Sequence, residues 1–198
     1  MISNYNYWYF VNAIPPGVCD EIIKIGLSKQ KGKALVDSIK DKANKNLYKV
    51  RDSDIVWLND LWLRYLVGSF VNTANINTDW NFTFDYPEEA QFTIYDKNQH
   101  YNWHQDLSFD KNQKTQPQNT QRKLSVTIQL TDEKEYKGGE LLFSTLNGQS
   151  KKKILTNELF RKKGTVVVFP SYMHHKVTPV TQGVRYSLVM WFRGPAFQ

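Results

Sequence analysis

The chain has 198 residues, 40% of them apolar and 14% aromatic, which excludes a disordered polymer and suits one sizeable core. No apolar run approaches the ~20 residues of a membrane span, and the opening Met-Ile-Ser-Asn-Tyr has no basic region followed by an apolar block, as a secretory signal would. Net charge is +7 and Cys19 is the single cysteine, so the expectation is a cytoplasmic protein without internal disulfides. Its lysine-rich stretches (24–49, 111–123, 151–153 and 161–163) are read as a solvated face, because no stacking motif or zinc spacing supports nucleic-acid binding.

Residues 5–11 are aromatic-rich and predict an opening strand, which Pro15-Pro16-Gly17 ends. Ile22, Ile23, Ile25 and Leu27 predict a helix over 18–28. Residues 29–46, rich in lysine and asparagine, read as a loop or exposed segment. Ile55, Trp57, Leu58, Leu61, Trp62, Tyr65 and Leu66 predict a second helix over 54–71, with these aromatics in the core.

From Trp80 the period changes to two. Strands are predicted at 82–84, 90–95, the stretch containing His104, 123–130, 140–144, 154–155, 164–169, 174–180 and 184–192. The pattern is mainly β with flanking helices: a jelly roll of about eight strands, braced from outside one sheet. One domain over 1–198 is expected, with 1–79 as strand and helical support and 80–198 as the core. The polar insert 110–122 has no apolar anchor and reads either as a candidate lid or as a plain hairpin loop.

The chemistry centres on Tyr101-Asn-Trp-His-Gln-Asp106. On a strand, His104 and Asp106 would point to one face. An imidazole beside a carboxylate makes two ligands of a divalent iron site, which a second His completes as a facial triad with open positions. His174 and His175 lie just past a buried run, and adjacent strand residues face opposite sides, so only one can serve. Arg185, in an apolar segment ten residues beyond His175, calls for an anion if buried, and its planar fork fits a carboxylate. His100 reads as a loop histidine.

His104-Gln-Asp106, Gly138-Gly-Glu-Leu141, Phe169-Pro-Ser171, His175-Lys-Val-Thr-Pro-Val180 and Arg185-Tyr-Ser-Leu188 together resemble the iron(II)- and 2-oxoglutarate-dependent dioxygenases, in their prolyl 4-hydroxylase-like (PKHD-type) branch. The resemblance covers roughly residues 80–195. It implies a double-stranded β-helix fold, iron(II) on His104, Asp106 and His175, and 2-oxoglutarate with its far carboxylate on Arg185. His175 is the one preceding Lys-Val-Thr-Pro. Tyr95 stands where related hydroxylases place a cosubstrate Tyr, whereas Gln129 stands where some relatives have a Tyr. Tyr101 and Trp103 are candidates for the substrate side, and Gly138 and Gly139 for a turn. The implied reaction is hydroxylation of an unactivated C–H bond with oxygen, decarboxylating 2-oxoglutarate to succinate, with ascorbate as an optional reductant. The branch implies a prolyl residue in a protein or peptide. A free amino acid or other small molecule, and a non-catalytic jelly-roll binding module, are the alternatives.

Overall fold

The computed structural model describes residues 5–34, 50–107, 120–145 and 153–196. The chain opens with strand β1 (Trp8–Phe10), helix α1 (Pro16–Ser28) and strand β2 (Gly32–Lys33). A proline starts α1 because its ring presets helical φ where the missing N–H has no intrahelical acceptor in any case. Gly26 on α1 lets the Phe92 ring approach so closely that a Cβ there would sit 2.4 Å from it. Strands β3 (Arg51–Asp52) and β4 (Asp54–Leu58) precede helix α2 (Leu61–Asn77).

The helix expected over 54–71 is therefore two elements. Asp54–Leu58 pairs antiparallel with Ala90–Ile94, and this ladder overrides the helical spacing of Ile55, Trp57 and Leu58. Helix α2 buries Leu63, Val67, Val71 and Ala74, a stripe at helical period that differs from the one expected. Trp57, Leu61, Trp62 and Tyr65 are exposed, Tyr65 by 78%, so these side chains are surface, not core.

The strands that follow are β5 (Tyr86–Pro87), β6 (Ala90–Tyr95), β7 (His100–His104), β8 (Thr120–Gln129), β9 (Lys137–Gly138), β10 (Leu141–Thr145), β11 (Lys153–Leu155), β12 (Val166–Pro170), β13 (His174–Val177), β14 (Val180–Gln182) and β15 (Arg185–Pro195). No strand forms at Phe82-Thr83-Phe84. The Asn75 side chain both donates to the Phe82 carbonyl and accepts from its N–H, each at 3.0 Å, doing what a neighbouring strand would do. His100 sits in β7 and not in a loop, and the run expected over 174–180 divides at Thr178-Pro179 into β13 and β14. Residues 110–119 of the candidate lid lie outside the described residues, as do 35–46 of the expected loop and the lysines at 111, 114, 151 and 152. Thr120, Gln121 and Arg122 open β8.

The strands build an eight-stranded sheet in the order β1-β12-β8-β15-β6-β4-β2, with β5 on β15, and a five-stranded sheet β11-β10-β13-β7-β3. Strands β9 and β14 form a separate pair. Alternation along the large sheet divides its two faces. Val56, Phe92, Ile94, Leu124, Val126, Ile128, Val166, Val168, Leu188, Met190 and Phe192 pack with Ile22 of α1 and Leu63, Val67 and Val71 of α2 in one apolar cluster. The opposite face carries Thr93 and Tyr95, Ser125, Thr127 and Gln129, and Arg185 and Ser187, aligned across the ladders. That polar, buried face looks toward the small sheet. The result is a jelly roll with helices bracing the outside of one sheet, as expected.

Candidate metal centre

His104 ends β7, and His175 lies opposite it on β13. Asp106 is not on the strand with His104, as the same-face argument assumed, but two residues past it; its N–H donates to the Ser171 carbonyl at 2.9 Å. One Asp106 oxygen lies 3.6 Å from His104 Nε2 and the other 3.5 Å from His175 Nε2. These separations are too long for good hydrogen bonds and suit atoms grouped around a shared centre. All three ligand atoms fall within 4.8 Å of one another.

Each imidazole is turned by its own backbone. His104 Nδ1 meets the Asn102 carbonyl at 2.8 Å and His175 Nδ1 the Met173 carbonyl at 2.9 Å. A carbonyl only accepts, so each Nδ1 carries the proton and each Nε2 keeps a lone pair facing inward. Burial and the neighbouring His104 push His175 down to about 4, against the attraction of Asp106, which keeps it neutral at neutral pH. Burial would raise the Asp106 carboxyl, but His175, His104 and Arg122 outweigh it and hold the group well below the usual carboxylate range. Two imidazoles and one carboxylate could hold a divalent iron, leaving part of its coordination sphere open.

The motifs act as supports. Thr178 Oγ donates to a Glu140 carboxylate oxygen, the Glu140 N–H donates to Thr178 Oγ at 2.8 Å, and the Thr178 N–H to the Glu140 carbonyl at 3.0 Å. This lock between Gly138-Gly-Glu-Leu141 and His175-Lys-Val-Thr-Pro sets the β10–β13 register, placing Phe143 opposite His175. Gly138 and Gly139 take positive φ, +75° and +65°, as turn residues do. Phe169 packs its ring on His175 with centroids 4.7 Å apart.

A register shift between His175 and Val177 marks a bulge against β7. In a regular strand Tyr101 and His104 would face opposite sides; the bulge lets the Tyr101 ring stack on His104, 3.4 Å between centroids. Burial raises the Tyr101 phenol to about 12, so it stays neutral. Trp103 is half-buried, with Lys176 Nζ 5.0 Å from its ring, and His174, half-buried, alternates with His175 along β13.

Arg185 is 4% exposed. Although only ten residues separate them in sequence, Arg185 and His175 lie in different sheets, on β15 and β13, and approach from opposite walls. Tyr95 pairs with Arg185 in register, and its ring centroid lies 5.4 Å from the guanidinium. Arg185 Nη1 reaches Ser187 Oγ only at 3.4 Å, and Nε has no partner among the described residues. Gln129 donates its amide to the Thr131 carbonyl at 2.9 Å, leaving Oε1 unpaired among the described residues.

Sequence reasoning missed a buried charge cluster beside the centre. Glu88 receives Arg122 through both oxygens, at 2.8 and 2.6 Å, and Arg193 at 2.8 Å. Arg122 also approaches the Asp106 carbonyl at 3.5 Å and stacks on Trp191 at 4.0 Å. Period-two alternation does not expose it, because Glu88 lies between strands and Arg122 is out of phase with Ser125, Thr127 and Gln129.

The family model of the 2OG-Fe(II) oxygenase superfamily matches residues 90–193, just over half of the chain. The PKHD-type hydroxylase MADE_1018490 of Alteromonas mediterranea is 33% identical over 102 residues, covering 52% of this chain and 42% of that protein. The PKHD-type hydroxylase YbiX of Escherichia coli is 36% identical over 104 residues, covering 52% and 41%; the match thus spans less than half the length of these relatives. Among solved structures, a Pseudomonas putida prolyl-4-hydroxylase superposes with a TM-score of 0.67 at 17% identity, covering 98% of this chain and 95% of that one. A prolyl hydroxylase from Trichoplax adhaerens, solved with a hypoxia inducible factor peptide fragment, reaches 0.67 at 15% identity over 96% and 84%. These two likenesses speak for the fold. The matched segment runs from β6, where Tyr95 lies, to β15, where Arg185 lies, with all three converging side chains between them, and the chain belongs to the 2OG-Fe(II) oxygenase superfamily.

Proposed function

We propose that His104, Asp106 and His175 hold iron(II), that Arg185, with Tyr95 and Gln129 beside it, receives 2-oxoglutarate, and that the chain, working as one cytoplasmic domain, hydroxylates a prolyl residue in a protein or peptide. The observation that carries this reading is the convergence of two backbone-oriented Nε2 atoms on one ionised carboxylate. The peptide assignment rests on the likeness to prolyl hydroxylases, one solved with a peptide, and on the PKHD-type relatives.

When bound, iron(II) with 2-oxoglutarate and oxygen supplies the oxidant for an unactivated C–H bond, with ascorbate as an accessory reductant. The chain's own residues do the rest. The Asn102 and Met173 carbonyls keep the imidazole protons away from the centre. Asp106 brings the single negative charge of the triad, anchored through Ser171. Arg185 supplies a buried positive charge whose fork matches a cosubstrate carboxylate. Tyr101, Phe143 and Phe169 pack around the two imidazoles and exclude water from one side. Tyr101 and Trp103 border the side on which substrate would approach.

Anaerobic addition of iron(II) and 2-oxoglutarate to the purified protein tests the reading. A visible charge-transfer band is expected, lost in His104→Ala and Asp106→Ala and weakened in Arg185→Ala. No band and no calorimetric binding of 2-oxoglutarate in the wild type would leave a binding module on the same fold.

A further inference from the structure

We propose that the Tyr136 hydroxyl is a cosubstrate-positioning group, donating with Arg185 to the far carboxylate of 2-oxoglutarate at the closed end of the site. The inference rests on the assignment of Arg185 given above and goes beyond it to a residue and a cavity so far without a role.

A cavity of about 210 Å³ opens beside Arg185 and is lined in part by Gln129, Tyr136, Glu140, Leu141 and Arg161. Three of the buried side-chain atoms that have no partner among the described residues belong to this lining: Arg185 Nε, Tyr136 Oη and Gln129 Oε1. Buried polar groups are nearly always paired, and leaving one unpaired costs about 1–3 kcal/mol, so their gathering at one cavity points to a ligand that completes them. Two of the three are donors. Gln129 is turned by its bond to Thr131 so that only an acceptor faces the cavity, which keeps a carboxylate on the Arg185–Tyr136 side.

Tyr136 is built to be held still. It is 2% exposed, the Arg161 guanidinium lies 4.5 Å over its ring, and Arg161 Nη2 donates to its carbonyl at 3.0 Å. Its ring and the Arg185 side chain meet over Gly139, where an added Cβ would be 2.9 Å from Arg185 Cδ and 3.4 Å from Tyr136 Cε2. The cavity also lies at a suitable depth. Leu141 lines it, and two residues along β10 Phe143 pairs with His175; two strand residues span ~7 Å, about the length of a glutarate skeleton. One carboxylate could then reach the triad while the other reaches Arg185 and Tyr136.

The test is Tyr136→Phe, which keeps the ring and removes only the hydroxyl. Binding of 2-oxoglutarate is measured anaerobically by calorimetry on protein loaded with Mn(II), together with Mn(II) affinity and the melting temperature. A hydrogen bond to a charged group corresponds to about ten- to a hundredfold in affinity. Weakening of 2-oxoglutarate binding by that factor, with Mn(II) affinity and melting temperature unchanged, supports the proposal. Unchanged 2-oxoglutarate affinity overturns it, as does a large fall in melting temperature, which would give the hydroxyl a structural role. Failure of the wild type itself to bind 2-oxoglutarate would overturn the cosubstrate assignment first and this inference with it.

Discussion

Glu88 holds two arginines at once, and replacing it by Gln should be among the most costly single substitutions in the barrel. Its oxygens receive three N–H donors at 2.6–2.8 Å, and the side chains of Glu88, Arg122 and Arg193 are 12%, 14% and 4% exposed. The amide in Glu88→Gln would keep one acceptor but remove the carboxylate charge between half-buried Arg122 and buried Arg193, which retains its bonds to Thr120. Removing one partner of a buried ion pair costs about 3–5 kcal/mol, which for a chain of this size lowers the melting temperature by about 10 °C. The control is Glu21→Gln, which breaks the pair between Glu21 and Lys24, whose side chains are 52% and 77% exposed; exposed pairs contribute about 0.2–1 kcal/mol or less. Urea unfolding of both variants against wild type measures the difference. Because Arg122 also reaches the Asp106 carbonyl, metal affinity in Glu88→Gln should fall by about tenfold. A loss below ~1 kcal/mol, or one equal to that of Glu21→Gln, would refute the view that the Glu88 charge stabilises two largely desolvated arginines.

Further outcomes follow from the same kind of contact. Phe143→Ala removes a fully buried ring that meets Tyr7, Phe169 and His175 at 5.1, 4.9 and 6.1 Å, costing about 3–5 kcal/mol in urea unfolding and weakening iron binding. Phe92→Ala, fully buried on the helix side, should cost as much stability while leaving iron affinity of the folded protein unchanged. Burial raises the Cys19 thiol from 9.0 to about 11 despite the nearby Lys163, so native protein should resist iodoacetamide at mildly alkaline pH while urea-unfolded protein reacts. The sign of the pH effect follows: below 9.0 both states keep the proton, and between 9.0 and about 11 only the unfolded thiol ionises. Stability should therefore fall as pH rises through that window, with a shallower fall in Cys19→Ala.

Much of the fold is written in local pattern. Ala90–Tyr95, Lys123–Leu130 and the stretch from Val184 to Phe192 alternate at period two, and the structure has them as adjacent strands of one sheet. The Gly138-Gly-Glu and Lys-Val-Thr-Pro179 motifs mark turns because their backbone geometry demands those residues at short range. His104, Asp106 and Arg185 were legible through their residue types and spacing, and His175, in preference to His174, through the family resemblance. What the spacing could not say is how they meet. Asp106 lies beyond its strand because Ser171, just past β12 of the other sheet, holds its N–H, and Arg185 lies in that same opposite sheet.

Tertiary pairing also decided the segments where local preference is ambiguous. Asp54–Leu58 reads as the start of a helix by the spacing of its apolar residues, and the neighbouring ladder on Ala90–Ile94 makes it a strand instead. Phe82–Phe84 has strand composition, but the Asn75 side chain satisfies its backbone first. Glu88, Arg122, Arg193 and Tyr136 carry no motif; they matter because two facing sheets bury polar side chains beside one another. By itself the sequence determined which residues alternate and which could bind a metal. Only the tertiary structure decided which polar groups lose their water together, because desolvation depends on what the rest of the chain packs around them.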